Sequence, residues 1–192
     1  MNYSIILASQ SPRRQQLLQL LDWKFEVLVA NTDENFPADL PLMQIPIYIA
    51  QQKAATVKTQ VLQKKFPNPL IIAADTIVHL NGQILGKPTN RQEAIDMLSQ
   101  LSNQTHDVVT GVCLMNETQQ HSFSVLTKVH FLPLSNEQLI YYIDNYQPYD
   151  KAGSYGVQEW IGLVAIKGIE GCYFNVMGLP VSALYQAVEQ FG

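Results

Sequence analysis

Apolar and polar positions along this chain switch between two periods, and the switches mark its elements. Tyr3 to Ala8 is a short apolar run of the kind that forms a buried strand, and it leads straight into Ser9-Gln-Ser-Pro-Arg-Arg-Gln-Gln-Leu-Leu18. There the period becomes helical: Ser11 suits the N-cap, Pro12 the first helical position, and Leu17, Leu18, Leu20 and Leu21 the inward face. Trp23 to Ala30 alternates again and reads as a second strand. Pro37, Pro41 and Pro46 break the next stretch, so a helix begins near Pro46, with Ile49, Ala50, Ala54, Val57 and Val61 as its apolar stripe. Lys53 falls beside or within that stripe, where it either snorkels to solvent or reaches into a cleft.

Leu70 to Val78 is apolar on both sides of Asp75, the pattern of a strand covered on both faces. Asn81-Gly82 is a strong signal for a type I′ hairpin, with a register that pairs Leu80 with Gln83, Val78 with Leu85 and Thr76 with Lys87. A helix is expected from Thr89, with Gln92 as capping-box partner and Ile95, Leu98 and Leu101 inward. Two strands follow, Thr105 to Met115 and Phe123 to Leu132, and Gly111 marks a bulge or a close backbone approach. Ser135 and Gln138 form a second capping box, opening a helix that runs through Tyr146. Pro148 to Gln158 breaks the pattern as a loop. Gly162 to Lys167 and Cys172 to Val176 read as a final strand pair, and Pro180 opens a last helix with Val181, Leu184, Tyr185 and Val188 inward.

A length of 192 residues allows one sizeable core, divided into two lobes. With 47% hydrophobic and 15% charged residues, the composition is that of a folded domain rather than a disordered chain. The net charge of −4 provides no general basic field, which weighs against nucleic-acid binding; a polyanion would need a local cluster. Cys113 and Cys172 each lie in an apolar run, as reduced core thiols of a cytoplasmic protein would. Neither a signal-peptide pattern nor a membrane span is expected.

Candidate chemistry concentrates at a few places. Arg13 and Arg14 stand in the first turn of a helix, where each cation opposes the dipole by roughly 0.3–1 kcal/mol and no acid offsets them. They form either a solvated turn or, with the free N–H groups of the helix start, a phosphate site. A carboxylate at Asp75 would cost several kcal/mol if buried and unpaired, so it must face a cation, a metal or a wet cleft, with a plain structural ion pair as the alternative. The hairpin register brings Lys87 close to it. Asp33 and Glu34, in the loop Asn31 to Phe36, are surface turn residues or ligands for a hard cation. His79, His106, His121 and His130 lack metal-ligand spacing and read as strand-surface residues. In the late loop, Tyr149 and Tyr155 could pack a ring and Gln158 could read polar base edges; a structural turn explains the glycines equally well.

Several of these stretches together resemble the Maf family of nucleoside triphosphate pyrophosphatases: Leu7-Ala-Ser-Gln-Ser-Pro-Arg-Arg14, Ala73-Ala-Asp-Thr76, Gly86-Lys-Pro88, Asp150-Lys-Ala-Gly-Ser-Tyr-Gly-Val-Gln158 and Asn175-Val-Met-Gly-Leu-Pro180. The resemblance spans nearly the whole chain, residues 1–192 as a single domain. It implies an α/β fold, an elongated twisted mixed β-sheet flanked by helices with a central cleft between two lobes, similar to the inosine triphosphatases. It implies cleavage of a nucleoside triphosphate between the α- and β-phosphates, with a divalent cation, Mg²⁺ or Mn²⁺. By that likeness Asp75 is the general base, Glu34 joins Asp75 around the metal, and Ser9, Arg13, Arg14, Lys53 and Lys87 hold the triphosphate. Arg13, Thr76 and Gln158 resemble the branch acting on dTTP and UTP rather than the one preferring 7-methyl-GTP. The family is often homodimeric. Glu159-Trp160-Ile161 departs from the family's glycine-rich run, and Trp160 either stacks on a base or fills core. The rival class is a regulatory binding protein in cell-division arrest, after the septum-inhibition phenotype behind the family name; an acid at position 75 within an apolar strand argues against it.

Overall fold

Strands and helices interleave along the chain, and the first strand passes to the first helix through a short loop, residues 8–11. A computed structural model of the chain describes residues 3–29 and 31–191. Its first half comprises β1 (Ser4–Leu7), α1 (Pro12–Gln19), β2 (Phe25–Val27), α2 (Ile45–Lys64), β3 (Pro69–Leu80), β4 (Gln83–Leu85) and α3 (Arg91–Leu101). The second half comprises β5 (Thr105–Met115), β6 (Gln120–Phe131), α4 (Asn136–Tyr146), α5 (Trp160–Ala165), β7 (Ile166–Glu170), α6 (Tyr173–Met177) and α7 (Val181–Gln190). Among the described residues the strands form one seven-stranded sheet in the order β2-β1-β3-β5-β6-β7, with β4 paired to β3. It is mixed: β1 runs parallel to β2 and β3, whereas β3–β4 and β6–β7 are antiparallel. This is the α/β class, with a mixed sheet, that the resemblance implies.

The chain divides into two compact units. The first takes the described residues of Met1–Asp75, Thr110–Val125 and Gly178–Gly192. Its core joins Ile6 and Ala8 of the β1 end, Ala50, Ala54, Val57 and Val61 of α2, Ile71 and Ala73 of β3, and Cys113 and Met115 of β5. The stripe on α2 is therefore the buried face that the periodicity indicates. The second unit takes Thr76–Val109 and Leu126–Met177. There Val78, Leu98, Leu101, Tyr142, Ile143, Tyr155 and Ile161 belong to one apolar cluster.

Two local expectations hold in detail. The hairpin pairs Val78 with Leu85 and Leu80 with Gln83, and Asn81 and Gly82 carry the positive φ of a type I′ turn, 50° and 83°. Its ladder runs to Leu85, where β4 ends, two residues before Lys87. The capping box of α4 is complete: Ser135 Oγ accepts from Gln138 N–H, and Gln138 Oε1 accepts from Ser135 N–H.

Others need correction. The cap of α3 is Asn90, not Thr89: Asn90 Oδ1 accepts from Glu93 N–H at 3.0 Å, and Glu93 rather than Gln92 reaches back to Thr89. The final strand pair is not formed. Residues 160–165 and 173–177 are short helices, and the strand between them, Ile166–Glu170, pairs with β6 instead. Leu20 is 74% exposed because α1 ends at Gln19 and Leu20 only caps it. Tyr185 is exposed at the rim and stacks on Trp23 at 5.8 Å. The second strand is only Phe25–Val27, shorter than the stretch Trp23 to Ala30; Leu28 beyond it is buried while Val27 and Val29 are exposed, and Ala30 lies outside the described residues. His106 is buried rather than on a strand surface, and Cys172 is only half-buried; the Thr127 hydroxyl donates to its C=O and accepts from its N–H.

Candidate active site

The short strand β1 hands the chain to α1 with no acid in the helix's first turn, as the sequence indicates. Ser11 caps by position only; the hydroxyl at work is that of Ser9, whose Oγ accepts from Ser11 N–H at 3.2 Å. Arg14 is buried, with 9% of its surface left exposed. Its Nε donates to the carbonyl of Gly178 and its Nη1 to the carbonyl of Ala74, both at 2.7 Å, and Nη1 lies 3.4 Å from Ser9 Oγ. One guanidinium thus ties α1 to the residue preceding Asp75 and to the turn before α7. Gly178 has φ +112°, which only glycine adopts without strain, so its place in the Asn175-to-Pro180 motif has a backbone reason.

Helix α2 is seated against β5 through Gly111. A Cβ there would fall 2.3 Å from Ile47 N and from Pro46 C, inside backbone atoms that cannot yield. This is the close approach that the glycine indicates. The buried alanines Ala50 and Ala54 flank Lys53 along the same face, and Lys53 points inward between them with a side chain 11% exposed. Its Nζ lies 2.7 Å from Asp75 Oδ1 and 2.9 Å from Glu34 Oε1. Asp75 sits within β3 with its side chain 9% exposed, while that of Glu34 is 46% exposed.

The electrostatics follow from this packing. Burial raises the pKa of the Asp75 carboxyl; Lys53 and then Arg14 pull it back, and Glu34 adds to the rise. Burial lowers the pKa of Arg14, opposed chiefly by Asp75, with neighbouring Arg13 adding to the lowering. Ser9, Arg13, Arg14, Glu34, Lys53 and Asp75 therefore assemble in the first unit as one charged cluster around a buried carboxylate. Asp33, beside Glu34, instead lines an open surface depression with Asn35, Tyr48 and Gln52.

The remaining expected residues belong to the second unit: Thr76, half-buried in β3, Lys87 just past the hairpin, and Gln158. The structure brings the Lys87 segment and the late loop together, because Gly153 N–H donates to the carbonyl of Gly86 at 3.0 Å. Gln158 is exposed at the end of that loop. Trp160 packs on Tyr141 at 4.8 Å and against the apolar cluster, which favours its core-filling role. Asn175 is fully buried and donates to Val108 O and Thr127 Oγ1, each at 3.0 Å, so this motif residue braces α6 against β5 and β6.

With this geometry in view, the family model described as Maf-like protein matches residues 4–191. The chain belongs to the Maf-like family. A dTTP/UTP pyrophosphatase of Phocaeicola vulgatus is 51% identical to this Maf-like chain over 189 residues, covering 98% of this chain and 96% of that protein. One of Porphyromonas gingivalis is 47% identical over 191 residues, 99% of this chain and 95% of its own length. Among solved structures, a HAM1 protein from Coxiella burnetii aligns at a TM-score of 0.44 and 17% identity, over 67% of this chain and 73% of that one.

Sequence reasoning placed the Asp75 carboxylate and its need for a cation, and proposed Lys87 as the supplier. In the Maf-like chain the cation in contact is Lys53, from the helix that precedes β3. It missed the Arg14 bonds to Ala74 and Gly178 and the environment of His106. The motif stretches that contain Ala74 and Gly178 were the available signal for the first. Nothing local marks the second.

Proposed function

We propose that this chain hydrolyses dTTP and UTP to the nucleoside monophosphate and pyrophosphate, acting in the cytoplasm as a nucleotide-pool sanitising enzyme, through a single domain of two lobes. The observation that carries the proposal is the buried Asp75 carboxylate held by Lys53 beside Arg14, within a chain of the Maf-like family whose full-length relatives bear the name dTTP/UTP pyrophosphatase. A carboxylate whose proton affinity is raised by burial, yet kept accessible to ionisation by adjacent cations, is suited to take a proton from an attacking water.

Two carboxylates converging on one ammonium identify a place where hard oxygen donors accept positive charge. Among the described residues no group of three or more His, Cys, Asp and Glu forms a fuller metal site. A pair of carboxylates completed by water and phosphate oxygens is the donor set that suits Mg²⁺ or Mn²⁺, so Asp75 and Glu34 would hold the ion. When bound, such an ion neutralises charge on the phosphate oxygens.

The chain's own residues account for the rest. Ser9 and Arg13 at the start of α1, together with Lys53 and Lys87, hold the phosphates. Arg14 adds its field while fixing the Ala74 carbonyl, and hence Asp75, in place. Water adds at the α–β phosphoanhydride as its proton passes to Asp75, and the pyrophosphate departs. Thr76 and Gln158 contact the nucleoside. Because charge is already spread over the phosphoryl oxygens, placement of these groups supplies most of the rate. The test is pyrophosphate release from a panel of nucleotides with Mg²⁺ or Mn²⁺. Turnover of dTTP and UTP above the rest is expected; faster release from 7-methyl-GTP would refute the assignment.

A further inference from the structure

The stretch from Lys151 to Glu159 contains a ring of contacts that phosphate binding leaves unused. Every residue from Lys151 to Val157 is buried or half-buried, and Gln158 is exposed at the end of that run. Val157, just before it, is anchored in the apolar cluster. Glu159, just after it, is gripped from two sides. Its Oε1 lies 3.1 Å from Lys151 Nζ, and its Oε2 accepts from the Tyr142 hydroxyl. The same hydroxyl accepts from Gly156 N–H at 3.0 Å, and Lys151 Nζ also reaches Asp150 Oδ1 at 2.8 Å.

Two glycines let the chain close this tightly. A Cβ on Gly156 would lie 2.7 Å from the Glu159 carboxyl carbon, and one on Gly162 would lie 1.8 Å from Val157 O. The ring is stiff for an electrostatic reason. The Lys151 side chain is 9% exposed and that of Glu159 20%, so any shift of the loop would leave a mostly buried charge without its partner. A charged hydrogen bond from Tyr142 adds direction to that constraint.

We propose that Glu159, held by Tyr142 and Lys151, is a positioning residue: it fixes the backbone around Gln158 and so sets how sharply the enzyme separates thymine and uracil from other bases. The inference rests on the reading of this chain as a dTTP/UTP pyrophosphatase in which Gln158 meets the base. A side chain that recognises a base by hydrogen bonds discriminates only while its donor and acceptor are held in register, and a displacement of an ångström weakens the correct contact more than the wrong one.

The experiment compares kcat and KM for dTTP, UTP and dCTP in the wild type, Tyr142→Phe, Glu159→Gln and Gln158→Ala, with melting temperatures measured in parallel. Tyr142→Phe removes one oxygen from the ring and Glu159→Gln one charge, so each is informative if the other fails to fold. Both are expected to keep kcat on dTTP within about threefold, to raise KM for dTTP, and to lower the dTTP-over-dCTP preference about tenfold. A purely structural role would lower the melting temperature and leave that preference intact. An unchanged preference in both variants, with Gln158→Ala collapsing it, overturns the positioning role alone. An unchanged preference in Gln158→Ala overturns it by removing the residue it positions. A wild type that releases no pyrophosphate from dTTP or UTP overturns the underlying function instead.

Discussion

Lys53 Nζ and Asp75 Oδ1 stand 2.7 Å apart, with both side chains about nine-tenths buried. The pair joins α2 to β3 and decides the protonation of the carboxylate proposed to do the chemistry. Burial favours the neutral acid and Lys53 favours the ion, so substitutions on either partner move the balance in known directions.

Asp75→Asn keeps the shape and removes the base. Pyrophosphate release is expected to fall about 10²–10⁴-fold, while dTTP binding measured at equilibrium survives. Unchanged turnover would take Asp75 out of the mechanism.

The raised pKa of Asp75 places the acid limb of kcat/KM above the ordinary carboxylate range of about 3.9. Activity rises with pH through that limb as the carboxyl ionises, and Lys53→Met, which removes the opposing cation, shifts the limb to higher pH. The stability sign follows from the same shift. The native state holds this proton more tightly than the unfolded chain, so the contribution is complete below the unfolded value and lost as pH rises through the folded one. At neutral pH Lys53→Met leaves Asp75 buried without its partner, at a cost of about 3–5 kcal/mol in urea unfolding. Adding Asp75→Asn to that variant restores a large part of the loss, a coupling that a double-mutant cycle measures. Glu34→Gln breaks the half-exposed arm of the network and changes stability by only about 0–1 kcal/mol, while raising the Mg²⁺ or Mn²⁺ concentration needed for half-maximal rate.

Arg14 and Arg13 separate by measurement. Arg14→Lys keeps a charge but cannot reproduce a fork that serves Gly178 and Ala74 together, and it is expected to destabilise the fold by about 2–5 kcal/mol. Arg13→Ala is expected to raise KM for dTTP with a melting temperature within about 2 °C of wild type. If both variants altered KM alone, Arg14 would be a phosphate ligand rather than a brace.

His106 gives an acid-range signature unrelated to catalysis. Its Nε2 lies 2.7 Å from the Tyr155 hydroxyl, its Nδ1 is buried with no hydrogen-bond partner, and burial lowers its pKa to about 4. The unfolded chain therefore takes up this proton first. Stability should fall by roughly 3 kcal/mol as pH drops from 6.5 to about 4, then level off. The difference between wild type and His106→Gln, measured by denaturant titration across that range, isolates the slope; parallel curves would show that His106 titrates normally.

Legibility in the sequence followed the length over which a pattern runs. The stripe on α2 extends from Ile49 to Val61, enough for the helical period to declare itself, and Asn81-Gly82 announces its turn through backbone conformation alone. Residues 160–177 defeated the same method. Trp160–Ala165 and Tyr173–Met177 are too short for a period, and their Ile, Val, Tyr and Phe content favours strands in isolation. Gly162 sits mid-helix because Val157 O occupies the space of its Cβ, a fact of tertiary packing. At the site, the burial of Asp75 was legible from its apolar neighbours. The identity of its partner was not, because the hairpin register extends only to local pairings, whereas Lys53 arrives from a helix whose position depends on β5.

That dependence rests on Gly111. With backbone touching backbone there, no side-chain layer cushions α2 from the sheet, and the depth at which Lys53 enters is set by an atom that is absent. A single methyl group at position 111 would push the lysine outward and take from the acid opposite it the cation it touches, so the working charge state of this site is inherited from a glycine that takes no part in the chemistry.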